Sequence, residues 1–440
     1  MRPLLKLLMR SWLMCLVVPM VSAQVPIVSI LSSHRKAIQR EYIYQFERQY
    51  GIKVKWLDLG GTENSLRYLK TKIGQNKPSI GIDIFWGGGD LVFDELERLG
   101  GLSPIVLPPA QEKALPKSVL GAAMKSEYGG WRASSISGFG IFWNRALQKR
   151  WRLTEPQDWS DLAQSEYAGR LSLADPRHSS SALVVYLIVL LRHGWERGWQ
   201  DLLQIAANAS RFTHSSLHPV QGVVAGDVAA AMTIDFYATA KIHTLGNQSF
   251  GFVTPEQGRV FTVDPIGLLK GAPHLDEAQK FISFVLSHQG QGLYTLPKGH
   301  SKGPKWNTLN RMSIHPGAYQ ECDVPGVICA QNPFELSQQK SGFPFEQARL
   351  IKLVASDIIG SLFIDLKAEL NAAWVQLRSL PARHPARIRF VQPILSYAEV
   401  VEASKQWSNP GFRLRKLNLW MGRASDHFKL SSTMKNLALK

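Results

Sequence analysis

From residue 25 to residue 99 the chain alternates short β-rich apolar runs with amphipathic helical stretches, and that order leaves few folds open. Residues 25–31 (Val-Pro-Ile-Val-Ser-Ile-Leu) read as a strand. Ser32-Ser33-His34-Arg35 follows, and then Ile38, Tyr42, Phe46 and Tyr50 recur every fourth residue, with Ser33 as the expected N-cap and Gly51 as the stop. Residues 52–57 alternate as a second strand, and a helical stretch covers 66–73. The buried-looking run 82–86 (Ile-Asp-Ile-Phe-Trp) ends in Gly87-Gly88-Gly89-Asp90, and a helix with Leu91, Leu96 and Leu99 follows. Strand, helix, strand, helix, strand predicts an α/β sheet with parallel strands. Ligands in such sheets gather where strands end and helices begin.

The middle of the chain repeats the theme. Residues 131–143 form a long extended segment, and 171–175 a short strand. Pro176-Arg-His-Ser-Ser-Ser181 opens a very apolar helix whose run 182–191 is too short to cross a bilayer, which predicts a helix buried inside a domain. Residues 228–234 form a strand ending at Asp235-Phe236-Tyr237, and 261–269 are extended. Acids open a helix over 276–291 that Gly290 closes. Ile351, Val354, Ile358, Leu362, Leu366, Leu370 and Trp374 mark a long amphipathic helix. With 440 residues, 45% hydrophobic and 19% charged, the chain has the composition of two or three folded domains, which excludes a disordered, collagenous or polytopic membrane protein.

The start of the chain reads as an export signal. Arg2, Lys6 and Arg10 precede an apolar stretch at 12–21, and Val21-Ser22-Ala23 offers a cleavage site before Gln24. The expected location is the periplasm. Cys15 leaves with the signal, so Cys322 and Cys329 remain, and an oxidising compartment favours a local disulfide between them over a metal site. The formal charge of +17 falls by the three basic residues of the signal to 17 − 3 = +14, a balance that favours anionic partners.

The order of elements resembles the periplasmic solute-binding proteins of ABC importers, type 2 topology, in the branch containing ferric-iron, phosphoglycerate and hexose-phosphate binders. Four segments carry the resemblance: Ser32-Ser33-His34 before the first helix, Asp83-Ile-Phe-Trp86 with its glycines, residues 222–237, and the helix at 276–291. The similarity runs from about residue 25 to residue 380. It implies an α/β protein of two lobes with an inter-lobe cleft, crossed by the chain near 131–142 and 261–265. A C-terminal helical extension is expected in addition. The expected organisation is a signal over 1–23, first lobe over 24–131, second lobe over 132–261, a return to the first lobe with packing helices over 262–380, and a basic extension over 381–440. A small anionic solute and an inner-membrane ABC permease are the implied partners. A monomer is expected, with no cofactor, no nucleic acid and no catalysis.

Within that layout, helix N-termini with their free N–H groups suit a phosphate or carboxylate. Ser33, His34 and Arg35 form one candidate site, and Ser179, Ser180 and Ser181 a second; ordinary N-capping by serine is the alternative for both. Gly88, Gly89 and Asp90 permit close backbone approach to a ligand, or a plain strand-to-helix turn with Asp90 as cap. Ser135 and Ser137 sit where the family crosses between lobes, and line either the cleft or a hinge. Asp235 and Tyr237 bear on the solute. Ferric-iron binders of this branch carry paired tyrosines at the matching place, because phenolates suit a hard trivalent cation. Here the first position is Phe236, so Tyr237 is read as a hydrogen-bond donor to an organic anion, or as half of a packed aromatic pair. His214 and His218 precede Pro219 without a further ligand nearby and read as a surface turn. Trp86 is read as core, with sugar stacking as the alternative. Residues 381–440 carry 11 basic and 3 acidic side chains, a net of 11 − 3 = +8. Arg413, Arg415, Lys416, Arg423 and Lys429 there offer contacts to acidic head groups, or simply a solvated face.

Overall fold

The computed structural model describes residues 25–319, 332–336 and 342–437. The signal segment and the pair Cys322 and Cys329 lie outside the described residues. Strand β1 (Ile27–Ser32) runs into helix α1 (Lys36–Tyr50), β2 (Lys53–Leu57) into α2 (Thr62–Gly74), and β3 (Ile84–Trp86) into α3 (Asp90–Arg98). β1 pairs parallel with both β2 and β3, as the alternation predicts. The chain continues through β4 (Leu102–Ser103), α4 (Pro109–Ala114) and the small hairpin β5 (Ser118–Val119) and β6 (Ala122–Ala123).

Strand β7 (Trp131–Asn144) then serves two neighbourhoods. Its first half, up to Gly138, pairs antiparallel with β12 (Phe261–Leu269), which pairs on its other side with β3. Its second half, from Phe139, pairs with β10 (Ala230–Ile234) and β11 (Phe250–Val253). Gly140 is required there, because a Cβ would run into the Val253 carbonyl of β11. Helix α5 (Arg145–Trp151), β8 (Leu171–Ala174), α6 (Ser180–Leu191), α7 (Trp195–Asn208), β9 (Ala209–Thr213), α8 (Leu217–Ala225) and α9 (Asp235–Leu245) complete the second α/β layer. β8 is parallel to both β9 and β10. After β12 the chain returns to the first layer with α10 (Leu275–Val285), α11 (His288–Thr295) and α12 (Pro333–Leu336).

The expected single helix over 276–291 is two helices. α10 ends at Val285, Ser287 caps α11 by accepting from Gly290 N–H at 3.0 Å, and Gly290 lies inside α11 rather than closing a helix. Gly290 is needed there for space, since a Cβ would strike the Phe284 carbonyl.

Two cores result. One gathers Val28, Tyr42, Phe46, Trp86, Phe93, Phe281 and Tyr294 around the first lobe. The other gathers Trp159, Tyr186, Leu190 and Trp199 of the second lobe. Helices α13 (Phe345–Ile358), α14 (Lys367–Leu377), α15 (Pro385–Val391), α16 (Tyr397–Ser404) and α17 (Pro410–Leu437) belong to this second core, with a π-helical segment, Ile359–Asp365, between α13 and α14. The expectation that the helix ending near Leu377 packs on the first lobe is therefore corrected. The physical reason is α6: its sequence is apolar on all sides, so the face turned from the sheet needs a cover, and α13 supplies it. Residues beyond 380 are likewise integral, since Phe390 stacks on Trp374 and Trp407 on Trp420.

Candidate functional site

Both sets of parallel strands end at the crossing between the lobes. β3 stops at Trp86, and the next N–H, of Gly87, donates to the Pro265 carbonyl at 2.8 Å. β10 stops at Ile234 opposite Phe139, and Asp235 Oδ2 accepts from Gly138 N–H at 2.9 Å. The loops after β1 and β3 and those after β8 and β10 thus open on one crevice whose floor is β7 and β12. The strand register slips between Asp264 and Pro265, a bulge of the kind that re-aims a side chain beside a site.

Asp264 organises the first-lobe wall. Its Oδ1 accepts from Gly88 N–H at 2.9 Å, and its Oδ2 accepts from Arg311 Nη1 at 2.7 Å. Arg311 Nη1 also donates to Ser135 Oγ at 3.2 Å. Burial would raise the Asp264 carboxyl, but His34, Arg311 and the hydrogen bonds outweigh it and hold it below its ordinary value. His34 is buried edge-on against Trp86, with Nε2 3.8 Å from Asp264 Oδ2 and without a hydrogen-bond partner. Burial pushes its pKa down to about 4 against the pull of Asp264, and Arg311 and Arg35 push the same way as burial. Neutral imidazole is the species at pH 7. Arg311 Nε is likewise buried without a partner.

Arg35 is the N-cap residue of α1 and makes no ion pair among the described residues. It is exposed to the crevice and reaches the second lobe, with its guanidinium carbon 5.3 Å from the Phe236 ring centroid and 5.2 Å from that of Tyr237. Arg311 covers Phe236 at 4.3 Å. The surrounding protein lowers the Arg35 pKa from its ordinary value, and Arg311 adds to that. Asp235 is buried at the start of α9, accepting from Gly138 N–H and from Phe236 N–H at 2.6 Å. Burial pushes it up to about 7, against those two bonds and Arg311.

The structure brings Ser33, His34, Arg35, Gly88, Gly89, Asp90, Ser135, Ser137, Asp235 and Tyr237 to this crossing, in altered roles for some. Ser33 is not the cap of α1; its Oγ is 3.0 Å from Thr62 Oγ1, and no side chain caps that helix. Asp90 begins α3 and Gly89 is its N-cap. Gly88 is at φ 112 with a hypothetical Cβ 2.6 Å from Thr62 Cγ2, so both backbone and space demand glycine. Ser179 caps α6 by accepting from Ala182 N–H at 3.2 Å, and its Oγ lies 3.2 Å from Ser181 Oγ, which leaves Ser180 as the freer hydroxyl of the three. Trp86 is wholly buried, donates to Ser134 Oγ at 2.8 Å, and has no face for a sugar. Two of the tail cations, both exposed, are already ion-paired: Arg413 with Asp357 at 2.7 Å and Arg423 with Glu399 at 2.9 Å.

Sequence reasoning missed Asp264 and Arg311. A lone carboxylate inside the apolar run 261–269 was a usable signal for the first. Arg311 lies in irregular chain without periodicity and carries no local mark.

Comparison with known proteins agrees with this geometry. A profile of the bacterial extracellular solute-binding protein family matches residues 83–296. The phosphoglycerate transport regulatory protein PgtC of Salmonella typhimurium is 26% identical over 327 residues, 71% of this chain and 73% of its own. The periplasmic binding protein AfuA from Actinobacillus pleuropneumoniae, solved with exogenous fructose-6-phosphate bound, superimposes with a TM-score of 0.58 at 18% identity, over 81% of this chain and 100% of its own. The apo ferric ion-binding protein A of Pasteurella haemolytica gives 0.56 at 15% identity, over 76% and 96%. The chain is thus similar over residues 83–296 to the bacterial extracellular solute-binding proteins, and it has the two-lobe type 2 fold of periplasmic binding proteins.

Proposed function

We propose that this protein captures a small anionic organic solute, phosphorylated or carboxylated, in the periplasm and hands it to an inner-membrane ABC permease. The observation that carries the reading is Arg35, a guanidinium without an ion pair among the described residues, set at the start of α1 and facing Phe236 and Tyr237 across the crevice. Arg311 is already neutralised by Asp264 at 2.7 Å, so Arg35 is the fixed charge left for a ligand. A guanidinium fork beside free helix N–H groups binds phosphate or carboxylate oxygens in two directions at once. The unpartnered Nε of Arg311 and the Ser180 hydroxyl on the opposite rim add donors. Closure about the crossing strands would bury the solute and bias the open–closed equilibrium.

The phosphoglycerate and fructose-6-phosphate relatives favour a phosphate ester within that class. Iron-binding neighbours exist, but Phe236 removes one of the two phenolates, and no three His, Cys, Asp or Glu cluster among the described residues. A second reading, solute sensing for a regulatory system, draws on the regulatory role in the name of the Salmonella relative. Titration calorimetry against sugar phosphates, phosphoglycerates, dicarboxylates and ferric citrate tests the class. Heat with a phosphorylated or carboxylated compound, lost in Arg35→Gln, is expected; heat with ferric citrate alone would overturn it. Uptake of the identified solute in a deletion strain separates transport from sensing.

A further inference from the structure

The segment 345–365 is seated on one lobe and touches the other. On one side of α13, Ile351, Val354, Ala355 and Ile358 are buried in the second-lobe core against α6. On the other side, Arg349 Nη2 lies 3.3 Å from Asp94 Oδ2 on α3 of the first lobe. Lys352, one turn further along, faces Asp90, Asp94 and Glu95 of the same helix; burial lowers its pKa and those three carboxylates oppose the shift. The Phe345 ring covers Gly121 in the β5–β6 turn, so closely that a Cβ there would sit 3.0 Å from it. At the far end, Asp365 accepts from Arg177 Nη1 at 2.9 Å and Nη2 at 3.0 Å. Arg177 also holds Asp175, in the loop that presents Ser179, Ser180 and Ser181. One short piece of chain therefore meets the helix that follows the glycine loop on one wall and the serine loop on the other.

We propose that residues 345–365 form an electrostatic strap across the mouth of the crevice, engaged when the lobes are close and released when they part. α13 moves with the second lobe because its apolar side is locked into that core. Bending at β7 and β12 must then draw Arg349 and Lys352 away from α3. The strap stabilises the closed arrangement whether or not a solute is present, and its partly exposed charges make the bias modest and salt-dependent. A bias of this kind multiplies solute affinity by the factor by which it enriches the binding-competent arrangement.

The test is small-angle scattering of the solute-free full chain, with circular dichroism to check that each variant is folded. Arg349→Glu with Lys352→Glu, and separately Asp94→Asn, should each give a larger radius of gyration than the native chain at about 50 mM salt. Asp94→Asn keeps an acceptor for Trp131 Nε1, which now donates to Asp94 Oδ1 at 3.3 Å, and it decides the matter alone if the double variant fails to fold. The native chain should expand on raising salt to about 0.5 M, and the variants should not. An unchanged radius in a folded variant, or a native chain indifferent to salt, overturns the strap. None of these readouts requires that the anion-binding reading be correct.

Discussion

Asp264 receives Arg311 Nη1 on one carboxylate oxygen at 2.7 Å and the N–H of Gly88 on the other at 2.9 Å, so a single side chain ties a crossing strand to the glycine loop and to the irregular segment behind it. Arg311 is only 6% exposed, and among the described residues no other carboxylate is paired with it. Asp264→Asn keeps the acceptor but removes the charge that balances Arg311. Breaking one partner of a buried pair costs about 3–5 kcal/mol, most of it from the stranded charge. The double variant Asp264→Asn with Arg311→Met should recover a large part of that loss. Urea unfolding of the three proteins checks both statements.

Arg35 behaves differently, because nothing in the fold depends on its charge. Arg35→Gln forfeits stacking on Phe236 and Tyr237, worth about 0.5–1 kcal/mol, and leaves the melting temperature nearly unchanged. A charged hydrogen bond to a ligand is worth about 1.5–3 kcal/mol, so affinity for the anion should fall about 10- to 100-fold. Arg35→Lys should fall between, having the charge without the fork. Calorimetry reads the series, and full affinity in Arg35→Gln would move the site elsewhere.

The fold was legible where a pattern is local. The β–α order of residues 25–99 follows from period-two and period-four runs and stands as expected, whereas the two crossing segments were implied by the family resemblance and not by any local pattern. Polar roles were less legible. Ser33 has the chemistry of a cap, yet it turns to Thr62 because α2 brings a hydroxyl within 3.0 Å. Arg311 is held at the site by Asp264, 47 residues earlier, and no spacing rule links them. The amphipathic pattern from Ile351 to Trp374 was visible, but a stripe of apolar residues does not say which core it covers.

Asp235 and His34, both buried at the crevice, pull stability in opposite directions with pH. Asp235 is raised from 3.8 to about 7 by burial, so between those values the folded chain keeps a proton that the unfolded chain has released. Its contribution is fully present below about 4 and is lost as pH rises through 7. His34 is lowered from 6.5 to about 4, chiefly by burial, so its contribution is present above 6.5 and is lost as pH falls through 4. Over the shared window the slopes oppose each other. Asp235→Asn should therefore lose stability toward acid pH more steeply than the native chain. His34→Gln should instead lose it as pH rises toward 7. Urea midpoints at several pH values across the window check the two signs, and parallel profiles for all three proteins would contradict the assignment.

Truncation separates an appendage from a structural wall. Ending the chain after residue 344 removes Ile351, Val354, Leu362, Phe363, Trp374, Phe390 and Trp420 from the core they share with Tyr186 and Trp199. It also strips Asn208 of the Trp374 indole N–H that it accepts at 2.7 Å. Each large apolar side chain contributes about 1.5–3 kcal/mol on burial, while a folded domain holds only about 5–15 kcal/mol in total. The second lobe should fail to fold in that fragment, with α6 and α7 open to protease. Ending after residue 409 removes only α17, which unstacks Trp407 from Trp420 and frees Glu399 from Arg423. That fragment should fold with a clearly lowered melting temperature. Limited proteolysis and thermal denaturation distinguish the two lengths, and a native melting profile after residue 344 would mean that the C-terminal helices carry none of the second lobe's stability.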